Sequence, residues 1–186
     1  MSYPKKISSD TVLDAALAYI EAHGLAELSM RTLAAELGVT PNALYRYFPS
    51  KAELEYAMAE EGGKRLLVVL QKAAGKKAPP QAIDAMAKAY FKFARSNPEL
   101  YAIKMRHCQP GSEPGSYDAV WAFVMQLATT LPTVWDAQDL AMSLWAFLHG
   151  MVELDRANML HGRKPEAALE AGLQVMLAGL LTGIKA

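Results

Sequence analysis

Apolar residues recur every three or four positions in the first part of the chain, which is the spacing of one helical face. The first such segment runs from about Asp10 to His23, and Gly24 follows it as a helix-ending cap. A second segment begins after Ser29, a residue typical of helix starts, and ends at Gly38, which allows a tight turn. The pattern therefore predicts two consecutive helices that each bury one face.

A further short helix is predicted immediately after that turn. Thr40 can act as its N-cap, Pro41 occupies its first position, and Pro49 ends it. Two short helices joined by a few residues form a helix-turn-helix, whose second helix can enter the major groove of DNA. The apolar residues expected in its core are Leu33, Leu37, Val39, Leu44 and Phe48.

The other faces of this short helix carry Asn42, Ala43, Tyr45, Arg46 and Tyr47. Amide, guanidinium and phenol groups can bind base edges and phosphates. The alternative interpretation is a helix face that only contacts water. Two tyrosines on a helix of two turns are costly to leave in water and cannot both be buried, which favours DNA recognition.

The rest of the chain predicts only helices. A capping box at residues 50–53 starts a long helix, whereas the segment between Gln109 and Ser116 is a Gly- and Pro-containing loop. The later helices are expected at residues 81–96, 98–107, 117–130, 136–160 and 165–184.

The predicted fold class is therefore all-α, with about nine helices in total. A three-helix helix-turn-helix domain is expected at residues 1–54, followed by an α-helical ligand-binding and dimerisation domain at residues 55–186.

The last two predicted helices carry apolar residues at alternating steps of three and four, and glycines that allow close backbone approach. Such a row of apolar residues, or seam, can pair two copies of a chain, or it can close the core of one chain. The first interpretation predicts a two-fold dimer interface built from Leu140, Leu144, Phe147, Met151, Leu169, Gly172, Leu173, Met176, Gly179 and Leu180.

Charge gives no independent support for DNA binding. The chain has 19 basic and 19 acidic residues, and residues 1–54 hold five basic against six acidic ones. Phosphate contacts must then depend on where the cations lie. The single Cys108 and the absence of a signal peptide at the start lead us to expect a cytoplasmic protein without disulfides.

No enzyme motif is present, so we expect no catalytic residues, no metal and no cofactor. The four histidines and one cysteine do not occur at metal-binding or Cys–His dyad spacings. A glycine-rich phosphate loop, a GxSxG elbow and an HExxH helix are also missing from the sequence.

The run VLDAALAYIEAHGLAELSMRTLAAELGVTPNALYRYFPSKAEL resembles the N-terminal DNA-binding signature of tetracycline-repressor (TetR) type regulators. The resemblance covers roughly residues 9–54. It implies base or near-base contacts from Arg31, Pro41, Asn42, Ala43 and Tyr45, with Arg46 at the groove edge, Thr40 on the same surface, and Tyr47 and Lys51 on phosphates.

One position departs from the family pattern, because many relatives carry His where this chain has Tyr47. The phenol keeps a hydrogen-bond donor but loses a possible cationic contact. Lys5 and Lys6 lie where such proteins often have a basic arm, although a solubilising tail is an equally good interpretation.

The segment from Leu144 to Gly150 is similar to the Trp…His-Gly (WHG) segment of a TetR subfamily with a C-terminal ligand domain. An indole beside an imidazole can line a cavity, although a buried tryptophan with a hydrogen-bonded histidine is the more common arrangement. The residues predicted to surround a small apolar or aromatic ligand are Phe91, Tyr101, Met105, Trp121, Met125, Trp145 and His149.

These patterns predict a homodimeric transcription regulator, most simply a repressor, that binds palindromic double-stranded DNA and is released by a small molecule. No membrane partner is expected. The alternative is a helical, dimeric interaction protein that has lost DNA binding, which the weak N-terminal charge allows.

Overall fold

The computed structural model describes residues 7–107 and 115–182, with side chains described through residue 179. Within those ranges the chain forms helices and no strand, so the all-α prediction is confirmed. One 3-10 turn, Leu25–Glu27, joins the first two helices. The nine α-helices of the described ranges are α1 Ser9–His23, α2 Met30–Leu37, α3 Pro41–Tyr45, α4 Lys51–Ala74, α5 Pro79–Ser96, α6 Pro98–Arg106, α7 Ser116–Ala128, α8 Ala137–Arg156 and α9 Pro165–Thr182.

The chain divides into two compact units. The first comprises residues 1–64 and 97–117, and the second comprises residues 65–96 and 118–186. The first unit therefore extends beyond the predicted DNA-binding domain and takes in α6, because α6 packs against α1. The predicted functional boundary at residue 54 stays a prediction.

The core of the first unit is the apolar stripe of α1, closed by residues from α2, α3 and α4. Leu33 and Leu44 are fully inaccessible to solvent, and Phe48 is buried, as expected. Leu37 and Val39 are only partly buried, which corrects the prediction for these two residues. They lie at the end of α2 and in the following turn, where the chain reaches the surface. The fully buried residues of α1 and α4 are Val12, Ala16, Ile20, Leu54 and Met58.

Capping hydrogen bonds hold both ends of α2. At its start, the Ser29 hydroxyl accepts from the Thr32 backbone N–H at 3.0 Å while the Thr32 hydroxyl accepts from the Ser29 N–H at 2.9 Å. At its end, Gly38 adopts a left-handed conformation with φ of 67°. The Val39 N–H donates to the Ala34 carbonyl at 2.9 Å, which completes a Schellman turn.

Carboxylates cap helix starts elsewhere in the first unit. Glu21 accepts from the Leu100 backbone N–H in the first turn of α6, and Glu99 accepts from the Leu25 N–H, each at 2.9 Å. Glu60 accepts from both the N–H (2.9 Å) and the hydroxyl (3.1 Å) of Ser116, the first residue of α7. These N–H groups have no partner within their own helices, so the carboxylates satisfy them and complement the helix dipoles.

Ion pairs hold α5 to α8 and α9 in the second unit. Arg95 binds Asp155 of α8 at 2.8 Å and also binds Glu166 of α9. Lys88 binds Glu170 of α9 at 2.7 Å. The apolar residues buried beneath these pairs include Met86, Tyr90, Phe91, Phe93, Leu148, Val152, Leu169 and Leu173.

Helix α8 ends four residues earlier than predicted, at Arg156 rather than at Leu160. Asn158 and His161 have positive φ values of 54° and 48°, and Gly162 follows with 75°. These left-handed conformations end the helix, although the apolar pattern continues through Leu160.

Replacing Gly38 tests whether the α2–α3 turn depends on a left-handed backbone. A side chain at Gly38 would meet nothing within 4 Å, so any loss reflects conformation and not a clash. We expect Gly38→Ala to lower the free energy of unfolding by about 1–2 kcal/mol, and Gly38→Asn by less, because Asn visits this conformation more readily. Urea denaturation measures both. Equal stability of Gly38→Ala and the wild type would show that the turn relaxes to another shape.

The Lys88–Glu170 pair predicts a specific dependence of stability on pH. The hydrogen bond from Lys88 lowers the pKa of Glu170 below its ordinary value of 4.5. A carboxylate with a lowered pKa stabilises the fold above its unfolded pKa and loses that contribution as the pH falls through its folded pKa. Thermal unfolding should therefore show Glu170→Gln below the wild type in melting temperature at pH 7 and level with it at pH 3.

The Lys88→Met background provides the control for that measurement. Without the ammonium partner, Glu170→Gln should change the melting temperature little at either pH. An undiminished effect in this background would mean that Glu170 stabilises the protein through some other contact.

Candidate nucleic-acid interface

The short helix α3 is placed by its neighbours. Five residues are too few for a stable isolated helix, so its position depends on packing. Pro41 occupies its first position, and Leu44 inserts its whole side chain into the core. Thr40 is the N-cap residue, as predicted, although its side chain makes no capping bond.

The helix is also shorter than predicted. It ends at Tyr45, and the Tyr47 and Phe48 N–H groups both donate to the Leu44 carbonyl at 2.9 and 3.0 Å. Pro49 disfavours helical backbone in the residue before it, which explains why the chain leaves the helix here. The resulting turn directs Tyr47 outward and Phe48 inward.

All nine residues predicted to bind DNA reach the surface of the first unit. Tyr45 is 46% exposed and Tyr47 is 37% exposed. The two phenols lie two residues apart and give this surface apolar rings that carry hydroxyl groups. Arg31, Thr40, Asn42 and Arg46 are exposed as well, whereas Pro41, Ala43 and Lys51 are partly exposed.

The start of α4 adds a cation to this surface. Ser50 accepts from the Glu53 backbone N–H at 3.1 Å, so the predicted cap forms at the first turn. Lys51 lies in that turn and pairs with Glu55 at 3.3 Å, with 43% of its side chain exposed. An exposed pair one turn apart contributes only about 0.3–0.5 kcal/mol, so Lys51 can exchange Glu55 for another anion at small cost.

Tyr47 makes a contact that the sequence analysis missed. Its hydroxyl donates to the backbone carbonyl of Ile7 at 2.7 Å, across a sequence separation of 40 residues. Ile7 precedes α1, so this bond ties the beginning of the described chain to the turn after α3. No local sequence signal indicates such a bond.

The residues predicted to line a ligand pocket divide between the two units. Tyr101 and Met105 belong to the first unit, where Tyr101 is fully buried. The other five belong to the second unit, where Phe91 is buried and the rest are partly exposed. Those five are Phe91, Trp121, Met125, Trp145 and His149.

Within the second unit, Trp145 lies between Tyr90 and His149. The indole N–H donates to the Tyr90 hydroxyl at 3.3 Å, and the Trp145 and His149 ring centroids are 6.2 Å apart. Tyr90 therefore belongs to this aromatic cluster. A ligand pocket at this cluster stays a prediction, as does assignment to the WHG subfamily.

Several residues predicted for the dimer interface pack inside their own chain. Met151, Leu169 and Leu173 are buried, and a side chain at Gly172 would overlap the Phe147 ring. The apolar seams of α8 and α9 thus meet each other within one chain. The sequence also allowed this second interpretation, in which the apolar residues close the core of one chain. The assignment of Met151, Leu169, Gly172 and Leu173 to a dimer interface is therefore corrected.

The other predicted interface residues are more accessible. Gly179 is exposed, and the side chain of Leu180 lies outside the described residues. The partly exposed ones are Leu140, Leu144, Phe147 and Met176.

In residues 7–107 and 115–182, no group of three or more His, Cys, Asp or Glu side chains is arranged to hold a metal ion. No helix in the same ranges is long and apolar enough to cross a membrane. Cys108 and most of the predicted loop from Gln109 to Ser116 lie outside the described residues.

Known proteins resemble the chain over nearly its full length. It is 23% identical over 181 residues to an uncharacterized HTH-type transcriptional regulator of Mycobacterium tuberculosis, covering 95% of this chain and 83% of the relative. The solved structure of a protein of unknown function from Rhodococcus sp. RHA1 matches with a TM-score of 0.84 and 25% identity, over 97% of this chain and 98% of that one.

A TetR variant from Acinetobacter baumannii AYE, solved in complex with minocycline, shares the fold. Its TM-score is 0.70 at 19% identity, over 97% of this chain and 100% of that one.

Two family models match the sequence itself. The model described as "Bacterial regulatory proteins, tetR family" matches residues 12–58, which include α2, the turn and α3. The model described as "Tetracyclin repressor-like, C-terminal domain" matches residues 83–178, more than half of the 186 residues. The chain therefore belongs to the tetracycline-repressor (TetR) family of bacterial transcriptional regulators.

Proposed function

We propose that this regulator is a homodimeric repressor that binds a palindromic operator through α3 and dissociates when a small molecule binds its second unit. The observation that carries the proposal is the surface of α3. A buried Leu44 holds the helix in place while Asn42, Tyr45 and Arg46 remain exposed beside it. This arrangement matches a recognition helix that enters the major groove.

The residue types on this surface suit base recognition. Asn42 can form paired hydrogen bonds with adenine, and Arg46 can do so with guanine. Tyr45 offers a flat apolar ring and a hydroxyl, whereas Lys51 supplies a cation for a phosphate at the start of α4. The remaining members of the proposed DNA surface are Arg31, Thr40, Pro41 and Ala43.

Dimerisation is proposed through the outer faces of α8 and α9. The outer face of α9 carries Ala167, Ala171, Val175 and Ala178, and Val175 is 73% exposed. The neighbouring carboxylates Glu166 and Glu170 pair with Arg95 and Lys88 of α5, so both are directed toward α5 and away from that face. On α8 the exposed apolar residues are Met142, Ala146 and Leu154.

A second copy of the chain is the partner that fits these faces. Small apolar side chains allow two helices to approach closely. A two-fold axis also explains how one short recognition helix acquires specificity, because two copies about 34 Å apart can read both halves of a palindrome.

The proposed inducer is a small apolar or aromatic molecule. The aromatic cluster around Trp145, with His149 as a polar group, suits such a ligand, and the Acinetobacter TetR variant binds the small molecule minocycline. Helix α4 is the proposed link, because one continuous helix begins in the first unit and ends in the second. Nearly complete release requires that the ligand favour the non-binding state by about 5.5 kcal/mol.

Operator binding is tested first with fragments of the host genome selected on the immobilised wild-type protein. We expect recovery of an inverted repeat, with an affinity that falls steeply as salt rises. Tyr45→Ala should weaken binding to that repeat by about 1–3 kcal/mol in a gel-shift titration.

Tyr56→Ala is the matched control, because Tyr56 is a 53% exposed tyrosine on α4 outside the proposed surface. It should bind the repeat like the wild type. If the wild type shows no preference for any repeat over competitor DNA at low salt, the interaction-protein alternative replaces the repressor.

The dimer is tested by placing a charge on the outer face of α9. Val175→Glu buries a carboxylate in the proposed interface and should convert the dimer to monomers at micromolar concentration in analytical ultracentrifugation. Ala119→Glu, an exposed position of α7, should leave the dimer intact. A wild-type monomer, or a dimeric Val175→Glu variant, would rule out this interface.

A further inference from the structure

We infer that His107 is a positioning residue that, when protonated, becomes the counter-ion of Glu55 and so frees Lys51 for a DNA phosphate. Operator binding then becomes stronger as the pH falls. The inference rests on the proposed DNA binding and adds regulation by protons to it. All three residues belong to the first unit, where Lys51 and Glu55 lie on α4 and His107 follows the last residue of α6.

The Glu55 carboxylate lies between the lysine and the histidine. Its Oε1 atom is 3.3 Å from Lys51 Nζ, and its Oε2 atom is 3.9 Å from His107 Nε2. Only 15% of the Glu55 side chain is exposed. A carboxylate with so little access to water needs a counter-charge. In the part of the chain that the structure describes, Lys51 and His107 are the basic side chains within 4 Å of it.

The imidazole of His107 is placed to supply that counter-charge. Its Nε2 atom is buried and has no hydrogen-bond partner among the described residues. The His107 backbone N–H donates to the carbonyls of Ile103 and Lys104, each at 3.2 Å, which holds the residue at the C-terminal end of α6. Helix C-termini favour a positive charge. A protonated Nε2 can donate to Glu55 after a shift of about 1 Å, which brings the two atoms to hydrogen-bond distance.

The other groups around His107 leave Glu55 as the anion that faces its ring. Tyr56 of α4 contacts the imidazole at an angle of 80°, with ring centroids 6.4 Å apart, and contributes a neutral phenol. On α1, which packs against α6, the carboxylate of Glu21 bonds at the opposite end of α6. The charged neighbours on α6 itself are both cations, Lys104 and Arg106.

DNA binding affects Glu55 because it draws Lys51 away. With a neutral His107, moving Lys51 to a phosphate leaves Glu55 without a counter-charge. With a protonated His107, the imidazolium supplies that charge and Lys51 moves without this cost. The DNA-bound protein therefore holds more protons than the free protein, and affinity must rise as the pH falls. An imidazole ordinarily changes its charge between about pH 5 and pH 8, which sets the range of the effect.

Operator affinity measured at two pH values tests the inference. The probe is the inverted repeat that the wild type selects, and its dissociation constant is measured by fluorescence anisotropy at about pH 6 and about pH 8 at one salt concentration. An ion pair of this kind changes affinity by a factor of about two. Because the proposed dimer has two such sites, the wild type should bind about fourfold more tightly at the lower pH.

Two variants separate the proposed role from a structural one. His107→Gln keeps a polar side chain that cannot take up a proton, so its affinity should not change between the two pH values. Glu55→Gln removes the anion that retains Lys51, so it should bind at the higher pH as tightly as the wild type binds at the lower pH. A purely structural role for Glu55 would weaken binding instead. Melting temperatures show whether each variant retains the fold.

Matched controls remove the same chemical groups elsewhere in the first unit. Glu53→Gln removes an exposed carboxylate from the first turn of α4, and His23→Gln removes an exposed histidine from the last turn of α1. Both controls should keep the pH dependence of the wild type, because they leave Lys51, Glu55 and His107 in place.

The following results would overturn the inference while leaving the repressor intact. If the wild type binds its repeat equally well at both pH values, no proton is linked to DNA binding. If His107→Gln keeps the pH dependence, or a control loses it, the effect comes from another group or from net charge. If Glu55→Gln binds more weakly than the wild type at the higher pH, Glu55 does not restrain Lys51. A wild type that selects no repeat at either pH overturns the repressor proposal and this inference together.

Discussion

The constraint on which the proposed DNA-binding surface depends is that α3 is too short to be stable alone. Leu44 must be buried for α3 to exist, and once it is buried the orientation of every other α3 side chain is fixed. Removing a leucine side chain from such a core costs about 2–5 kcal/mol. The exposed tyrosines and polar residues are thus held in place by a hydrophobic contact on the opposite side of the helix.

Polar capping extends this support through the first unit. Glu21, Glu60 and Glu99 each satisfy backbone N–H groups at the start of another helical segment. Because Glu21 and Glu99 bond in opposite directions between the α1 end and the α6 start, those two elements are linked twice. A displacement of α6 must therefore break two charge-assisted hydrogen bonds or carry α1 with it.

Most of the fold could be predicted from the sequence because its signals are local. The cap at Ser29, the left-handed turn at Gly38 and the cap at Ser50 are encoded by neighbouring residues, and each forms as expected. The hydrogen bond from Tyr47 to Ile7 spans 40 residues, so no pattern of neighbouring residues predicts it. The end of α3 was missed because the apolar residue Phe48 continues the helical pattern while the backbone has already turned toward Pro49.

The dimer seams show a different limit of sequence analysis. An apolar seam has the same spacing whether it meets its own chain or another one, and Gly172 with Phe147 shows the first case here. The positions of the charged residues on α9 distinguish these two cases better than the apolar spacing does. Glu166 and Glu170 both pair with cations of α5, whereas Ala167, Ala171, Val175 and Ala178 are exposed apolar residues of α9.

The proposed DNA-binding surface is the segment from the turn at Gly38 through Phe48. Amide hydrogen exchange can be compared between the free protein and the protein saturated with its selected repeat. We expect slower exchange in residues 39–48 and at the start of α4 when the repeat is bound. If exchange in this segment is unchanged and protection falls instead on the second unit, α3 is not the DNA-binding element.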